Sequence, residues 1–432
     1  MVSLKAVHGP TGKLSPQDWM TAPAPKAVIK ALRAGGSEVR FVGGCVRDAL
    51  AHRPVQDVDL ATPDAPGKVM KLLAAAGIKA IPTGVEHGSV TAMVGEQKFE
   101  ITTLRRDVET DGRHAKVAFT DDWMADAERR DFTINALSAT TDGDIYDMHD
   151  GIGDLAHGRI RFVGLAKARI GEDVLRLLRY FRFFGAYGRP PADTDAIAAC
   201  RSEAPKLSTL SAERVRDELL KILMVPSPAD VAVMMRGLGI FAHILPEAGD
   251  VGRLRMLAWL ESRAIKIDAV KPDALRRLAA LLGTDGAGAE VAARRLKLSN
   301  RDTLHLVTLV APPADIGPNL EEAALRRALH RLGPVTVRDL ALLAWAAELA
   351  ITPRIPAART QKWLHILQAC DNWKSAVFPL TGIDVMMALG LPEGPRVGEL
   401  LAAVEAWWED GDYQASRDDC LKKLKALAAA GR

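Results

Sequence analysis

The alternation of apolar and polar positions divides the chain into two regimes. Up to about residue 160, the β-forming runs Val39 to Val42, Val58 to Leu60, Ser89 to Val94 and Lys98 to Thr102 lie between glycines and prolines and are mixed with helical stretches. The last two runs, joined around Gly95-Glu96-Gln97, predict a hairpin. From about Lys167 onward, Ala, Leu and Arg recur at three-to-four spacing, and Pro and Gly mark breaks near 189–191, 225–228, 312–318 and 352–356. The pattern predicts an α+β head with a mixed or antiparallel sheet, followed by helices alone. The Pro-Leu-Thr-Gly run at 379–382 and the segment 390–398 look like joints of a last small helical unit that ends with Trp407 and Trp408.

Composition narrows the classes without choosing a chemistry. A chain of 432 residues, 48% hydrophobic and 26% charged, can bury a large core and suggests two to four domains. With 57 Lys and Arg against 54 Asp and Glu, a polyanionic partner has to be met by a local basic patch. Cys45, Cys200, Cys370 and Cys420 are widely spaced and form no C-x-x-C pair, which argues against zinc and disulfides and fits a reducing cytoplasm. The most apolar stretch, Leu340 to Ile351, is too short to span a bilayer and contains Glu348, and the N-terminus carries no secretory pattern. Neither secretion nor membrane insertion is expected.

Chemistry enters with Phe41-Val-Gly-Gly-Cys-Val-Arg-Asp48, which reads as a strand ending in a double glycine and opening a helix. Gly43 and Gly44 allow a ligand to approach the backbone, helix-start N–H groups favour phosphate, and Arg47 adds a planar cation. Ten residues on, in Gln56-Asp57-Val58-Asp59-Leu60, the strand period puts Asp57 and Asp59 on one face and Val58 and Leu60 on the other. Two adjacent like charges are costly unless a cation neutralises them, and hard oxygen ligands beside a phosphate site suit Mg²⁺. Glu100, flanked by Phe99 and Ile101 on the hairpin, is a third carboxylate. Three carboxylates can hold the two metals of nucleotidyl transfer, one activating a hydroxyl and one clamping the triphosphate.

Two further clusters suit a nucleotide. Arg129-Arg130-Asp131-Phe-Thr-Ile-Asn135 places two cations, a carboxylate and an amide within two turns, able to hold phosphates and a ribose hydroxyl. In Glu172-Asp173-Val-Leu-Arg176-Leu-Leu-Arg179-Tyr-Phe-Arg182 the residues Asp173, Arg176, Arg179 and Arg182 recur every three positions along an expected single helix. A carboxylate only accepts and a guanidinium only donates. An Asp173 and Arg176 pair therefore complements the amine and bare ring nitrogen of cytosine and adenine and rejects uracil and guanine. Between Arg161 and Arg189 the basic residues Arg161, Lys167, Arg169, Arg176, Arg179, Arg182 and Arg189 face only Glu172 and Asp173, a local basic region suited to triphosphate or an RNA end. Each cluster alone also fits a turn, an edge strand, a helix cap or a solvated helix face.

Taken together and in this order, these motifs resemble the class II nucleotidyltransferases of tRNA maturation, the CCA-adding enzymes, which share head and neck with bacterial poly(A) polymerases. The resemblance runs through Val42 to Asp48, Asp57-Val-Asp59, Arg129 to Ala136, Asp147 to Gly164 and Glu172 to Arg176, and covers residues 25–225 clearly. It implies a nucleotidyltransferase head (1–160) followed by all-helical neck (161–225), body (226–375) and tail (376–432). It further implies that Asp57, Asp59 and Glu100 bind catalytic Mg²⁺ and that Gly44, Arg47 and Arg130 contact the nucleotide. Asp173, Arg176, Arg179 and Arg182 would form the selecting face. Leu104 to Phe119 looks like the family's flexible loop and Asp150 to Leu155 like its hinge. The implied substrates are tRNA, CTP and ATP, with no DNA or membrane partner. Gly95-Glu-Gln-Lys-Phe99 lacks the basic stretch found there in bacterial poly(A) polymerases, which favours the tRNA enzyme. A poly(A) polymerase, an enzyme adding only A, and an RNA-binding protein without catalysis remain alternatives.

Overall fold

The computed structural model describes residues 9–110, 115–374, 377–411 and 413–430. The chain forms two compact units, Met1–Pro246 and Glu247–Arg432. The boundary between them falls inside the segment 226–375 expected to form the body.

In the first unit the strands are β1 (Gly12–Lys13), β2 (Arg40–Val42), β3 (Val58–Thr62), β4 (Lys79–Gly84), β5 (Ser89–Val94), β6 (Gln97–Thr103), β7 (Arg105–Thr110), β8 (Ala115–Phe119), β9 (Ser138–Ala139) and β10 (Asp144–Tyr146). Eight of them form one mixed sheet in the order β1-β10-β9-β2-β3-β6-β5-β4, while β7 and β8 pair separately as an antiparallel ribbon. Only the β3–β6 pair of that sheet is parallel. The alternation read from the sequence decides which face is covered. Phe41, Leu60, Val90, Phe99 and Ile101 are buried in one cluster with Val28 and Leu32 of the Pro23–Arg33 helix and Val69 and Leu73 of the Pro66–Ala75 helix. Each such side chain contributes about 1.5–3 kcal/mol by leaving water.

All four expected strands are present, and the hairpin joins β5 to β6. The sequence reading missed β4, a strand at the end of the sheet whose Pro82 masks it, and the two- and three-residue strands β1, β9 and β10. The expected flexible loop over Leu104 to Phe119 is largely the β7–β8 ribbon, with Arg105 opposite Phe119; residues 111–114 lie outside the described residues. The expected hinge is mostly a helix, Gly151–His157. Its fully buried Asp154 accepts from Thr133 Oγ1 at 2.6 Å and from Arg161 Nε at 2.8 Å, which ties it to the 131–135 segment.

The helix expected to run through Glu172 to Arg182 is two helices, Ala166–Glu172 and Leu175–Tyr187. Asp173 between them is extended (φ −150°), and its carboxylate accepts from the Leu175 amide at 3.1 Å. A carboxylate that caps the next helix start satisfies an otherwise orphaned N–H, so it breaks the helix that precedes it. The Leu175–Tyr187 helix is fixed by aromatic contacts: the Phe132 ring lies 4.8 Å from Phe162 and 5.1 Å from Phe183, centroid to centroid.

The second unit is helical, and its breaks fall where Pro and Gly predict them, for example between Ile351 and Ala357. A kink that the periodicity hides lies at Gly333 (φ 79°) and Pro334 within Glu322–Ile351. Leu380, Val385, Leu400, Val404, Trp408, Cys420 and Leu424 form a separate apolar cluster, so the last small unit runs on past Trp407 and Trp408 into the Arg417–Ala430 helix. Among the described residues no helix is long and apolar enough to cross a membrane.

Two guanidiniums are buried in this unit. Arg276 and Arg277, 4% and 1% exposed, share Glu261, at 2.8 Å and 2.7 Å from their Nε atoms, and Arg276 also reaches Asp339. Glu261→Gln removes the charge shared by both cations while keeping the volume. Uncompensated buried charge of this kind costs about 3–5 kcal/mol, so urea unfolding of the variant is expected to show a loss of that order.

Candidate active site

β2 ends at Gly43 (φ 67°), and the Gly44–Leu50 helix starts at once. A Cβ on Gly43 would meet Arg130 Nη1 at 2.9 Å, so glycine is required there both by the left-handed backbone and by the guanidinium packed against it. Arg130 in turn donates to the Asn135 carbonyl at 3.2 Å and pairs with Asp126.

The carboxylates come together through the one parallel pairing of the main sheet. Asp59 on β3 lies directly opposite Glu100 on β6, and Asp57 sits two residues before it, at the entrance to β3. Asp57 and Glu100 are exposed and Asp59 is half-buried. Leu60 and Ile101, next along the two strands, are buried in the core, so the apolar side of the sheet aims the acids at the other. Burial, reinforced by Glu100 and Asp57 and opposed by Arg130 and Arg47, lifts the Asp59 carboxyl to about 6. Asp57 and Asp59 line a pocket of about 410 Å³ together with Gly44, Arg47, Asp48, Arg53 and Tyr187. Among the described residues no three acidic, histidine or cysteine side chains are already gathered tightly enough to hold an ion. The oxygen donor set, with Glu100 in register opposite a half-buried Asp59 and Asp57 beside it, still fits a hard divalent cation.

A polar chain connects this pocket to the Leu175–Tyr187 helix. Arg47 Nη1 donates to Asn135 Oδ1 at 2.6 Å, Asn135 Nδ2 donates to Asp131 Oδ1 at 2.9 Å, and Arg179 Nε donates to Asp131 Oδ2 at 2.6 Å. Burial alone would raise the Asp131 carboxyl, but the Arg179 charge and the hydrogen bonds from Asn135, Arg179 and the Phe132 amide outweigh it and hold it below the usual range. Asp131 is 8% exposed with both oxygens engaged; it braces Arg179, and it is not an open acceptor for a ribose hydroxyl.

The residues expected to form the selecting face are engaged with partners within the protein. Arg214 Nη2 donates to both Asp173 oxygens, at 3.0 and 2.8 Å. Arg176 pairs with Glu172 and donates to the Arg129 carbonyl at 3.1 Å, and Arg182 pairs with Glu218. The basic region is neutralised more than its local sequence suggests. Arg161, Lys167, Arg179 and Arg182 meet Asp154, Glu203, Asp131 and Glu218, and all four acids lie outside the 161–189 window.

Site residues that the sequence reading missed are Asp48, Arg53, Tyr187, Arg214 and Glu218. Tyr187 Oη donates to Asp48 Oδ1 at 2.5 Å, and the Arg47 and Arg53 guanidiniums lie 4.5 and 4.2 Å from its ring centroid. The available signals were the i, i+4 spacing of Phe183 and Tyr187 and of Arg214 and Glu218. Cys45, buried against the Val42 and Asp59 carbonyls, has its thiol pushed up to about 12 chiefly by burial and is no nucleophile.

A glycine turn, a carboxylate pair with a third acid in register, and an arginine-lined pocket on a mixed sheet define a nucleotidyltransferase head. The family model for the poly(A) polymerase head domain matches residues 39–161, and that for a probable RNA and SrmB-binding site of polymerase A matches 193–250. The chain is 34% identical over 397 residues to the mitochondrial CCA tRNA nucleotidyltransferase 1 of Danio rerio, covering 90% of this chain and 87% of the relative. It is 33% identical to the Homo sapiens protein of the same name, covering 90% and 86%. The crystal structure of the Bacillus stearothermophilus CCA-adding enzyme in complex with CTP superimposes with a TM-score of 0.75 at 27% identity, covering 93% of this chain and 96% of that one. This chain belongs to the CCA-adding tRNA nucleotidyltransferases.

The position of Asp59 can be tested by titration. Its raised carboxyl keeps a proton between the ordinary range and about pH 6, so its contribution to stability is full at low pH and is lost as pH rises through about 6. Carbon-detected NMR of the metal-free protein is expected to show a midpoint near 6, moved downward in Glu100→Gln. An unmoved midpoint would mean that the two acids do not share one field.

Proposed function

We propose that this protein adds C, C and A to the 3′ end of immature tRNA, taking CTP and ATP as substrates and releasing pyrophosphate without a nucleic-acid template. The observation that carries the reading is the register of Asp59 against Glu100 beside Asp57, in a pocket that also holds Gly44 and Arg47. Asp57, Asp59 and Glu100 are the residues to hold Mg²⁺, which when bound supplies a lowered hydroxyl pKa and charge neutralisation on the triphosphate. Arg47 and Arg130 hold phosphate oxygens next to the double glycine. The Arg47–Asn135–Asp131–Arg179 chain fixes Arg47, which lines the carboxylate pocket, with respect to the selecting helix.

Asp173 and Arg176 read the base. Asp173 accepts the exocyclic amine of C or A in exchange for Arg214, and Arg176 donates to the unprotonated ring nitrogen in exchange for Glu172. Arg179 and Arg182, held by Asp131 and Glu218, keep the rest of that helix in place. Head, neck, body and tail divide at about residues 160, 225 and 375, with RNA along the helical part. The four buried free thiols suit a reducing compartment, and we place the protein in the cytoplasm, although the vertebrate relatives are named as mitochondrial.

Incubation with Mg²⁺, CTP, ATP and a tRNA ending at its discriminator base is expected to give a product about three nucleotides longer; long A tails would identify a poly(A) polymerase instead. Asp57→Ala is expected to lower incorporation by at least about 10³-fold while tRNA binding is kept, since the lost interaction acts on the transition state. Unchanged incorporation would rule out the catalytic reading.

A further inference from the structure

We propose that a second groove, opening from the carboxylate pocket past Tyr187, is the track for the 3′-terminal nucleotides of the RNA. This rests on the transfer reaction proposed above and names where its second substrate lies. The groove, of about 320 Å³, shares Arg53 and Tyr187 with the carboxylate pocket. It is also lined by His52, by Ile152 and Leu155 of the Gly151–His157 helix, and by Arg189, which packs against Gly158 at the end of that helix. No carboxylate belongs to its lining.

Its cations are available where others are spent. Of the seven basic residues between Arg161 and Arg189, six are paired with carboxylates; among the described residues Arg189 has none. Its backbone is nonetheless fixed, the amide donating to the Gly158 carbonyl at 2.7 Å. Arg53 donates to the Ala186 carbonyl with its Cζ 4.2 Å from the Tyr187 ring centroid, and a guanidinium so placed can stack on a base. His52 adopts φ 54° at the end of the Gly44–Leu50 helix, where the Arg53 amide returns to the Asp48 carbonyl. Glycine fits such a position without strain, so the backbone is held in an uncommon conformation that keeps an imidazole at the groove.

The layout separates the two substrates. Asp173 and Arg176 lie at the start of the Leu175–Tyr187 helix and the groove lies past its end, about 20 Å away along thirteen residues. The incoming nucleotide is accounted for between the base-reading end and the carboxylates. The groove is left for the chain that supplies the attacking hydroxyl: phosphodiesters against Arg189 and His52, bases against Arg53 and the Ile152–Leu155 wall.

The experiment is steady-state addition to tRNA lacking its last three nucleotides, by wild type, Arg189→Glu and Arg189→Lys, with thermal unfolding and CTP binding as controls for the exposed position. Arg189→Glu is expected to raise KM for tRNA at least about tenfold with KM for CTP unchanged. The salt dependence of the tRNA KM should fall by about one counterion, and Arg189→Lys should recover most of the loss. An unchanged KM for tRNA overturns the proposal, and an equal rise in KM for CTP does so by assigning the groove to the nucleotide. If wild type extends no tRNA at all, the parent reading fails and takes this one with it.

Discussion

The crowding of negative charge at Asp59 and Glu100 is the constraint from which the rest of the head follows. These acids face one another because two strands run parallel and in register, and that pairing is the exception in a sheet otherwise antiparallel. Such a site stands only where packing overrules repulsion. Leu60 and Ile101, one step along each strand and fully covered, supply that packing. Arg47 and Arg130 temper the field without abolishing it, since neither is hydrogen-bonded to Asp59 and the carboxyl remains raised. A site left partly uncompensated is one that gains from a cation.

The second organising feature is the way cations are held near this field without being consumed by it. Arg47 is oriented by Asp48 and Asn135, Arg130 by Asp126, and Arg179 by Asp131. Each guanidinium is fixed by an acid that is not one of the three carboxylates. A guanidinium free to swing would close on Asp57 or Asp59 and quench the site. The buried braces Asp126 and Asp131 therefore matter as much as the arginines, because each removes the alternative arrangement.

How much of this could be read from the sequence depended on range. The strands bearing Asp57, Asp59 and Glu100, the double-glycine turn and the all-helical remainder are local patterns of period two or three to four, and they appear where expected. What failed was any inference that treated a window as closed. The surplus of cations between 161 and 189 is largely cancelled by Asp131, Glu203 and Glu218, brought in from elsewhere by folding. Asp173 counted as a helical position until its carboxylate found a neighbouring amide to cap. Arg53 and Tyr187 carry no motif; they matter because the end of one helix meets the end of another, which periodicity cannot announce.

The engaged state of the base-reading residues bears on how selection works on the proposed reading. Asp173 and Arg176 are satisfied before a nucleotide arrives, so a matching base replaces protein hydrogen bonds one for one and gains little from the exchange itself. Discrimination then comes from the wrong bases. Uracil or guanine would present a carbonyl to Asp173 and an N–H to Arg176, leaving an acceptor facing an acceptor and a donor facing a donor, at up to about 1–3 kcal/mol for each group left unsatisfied beneath the bound base. A protein that must accept two bases of different size gains from this arrangement, because rejection by unpaired polar groups depends on the edge of the base and not on its outline. Partners such as Arg214 and Glu172 that can be displaced hold the readers in place while leaving the final contact to the substrate.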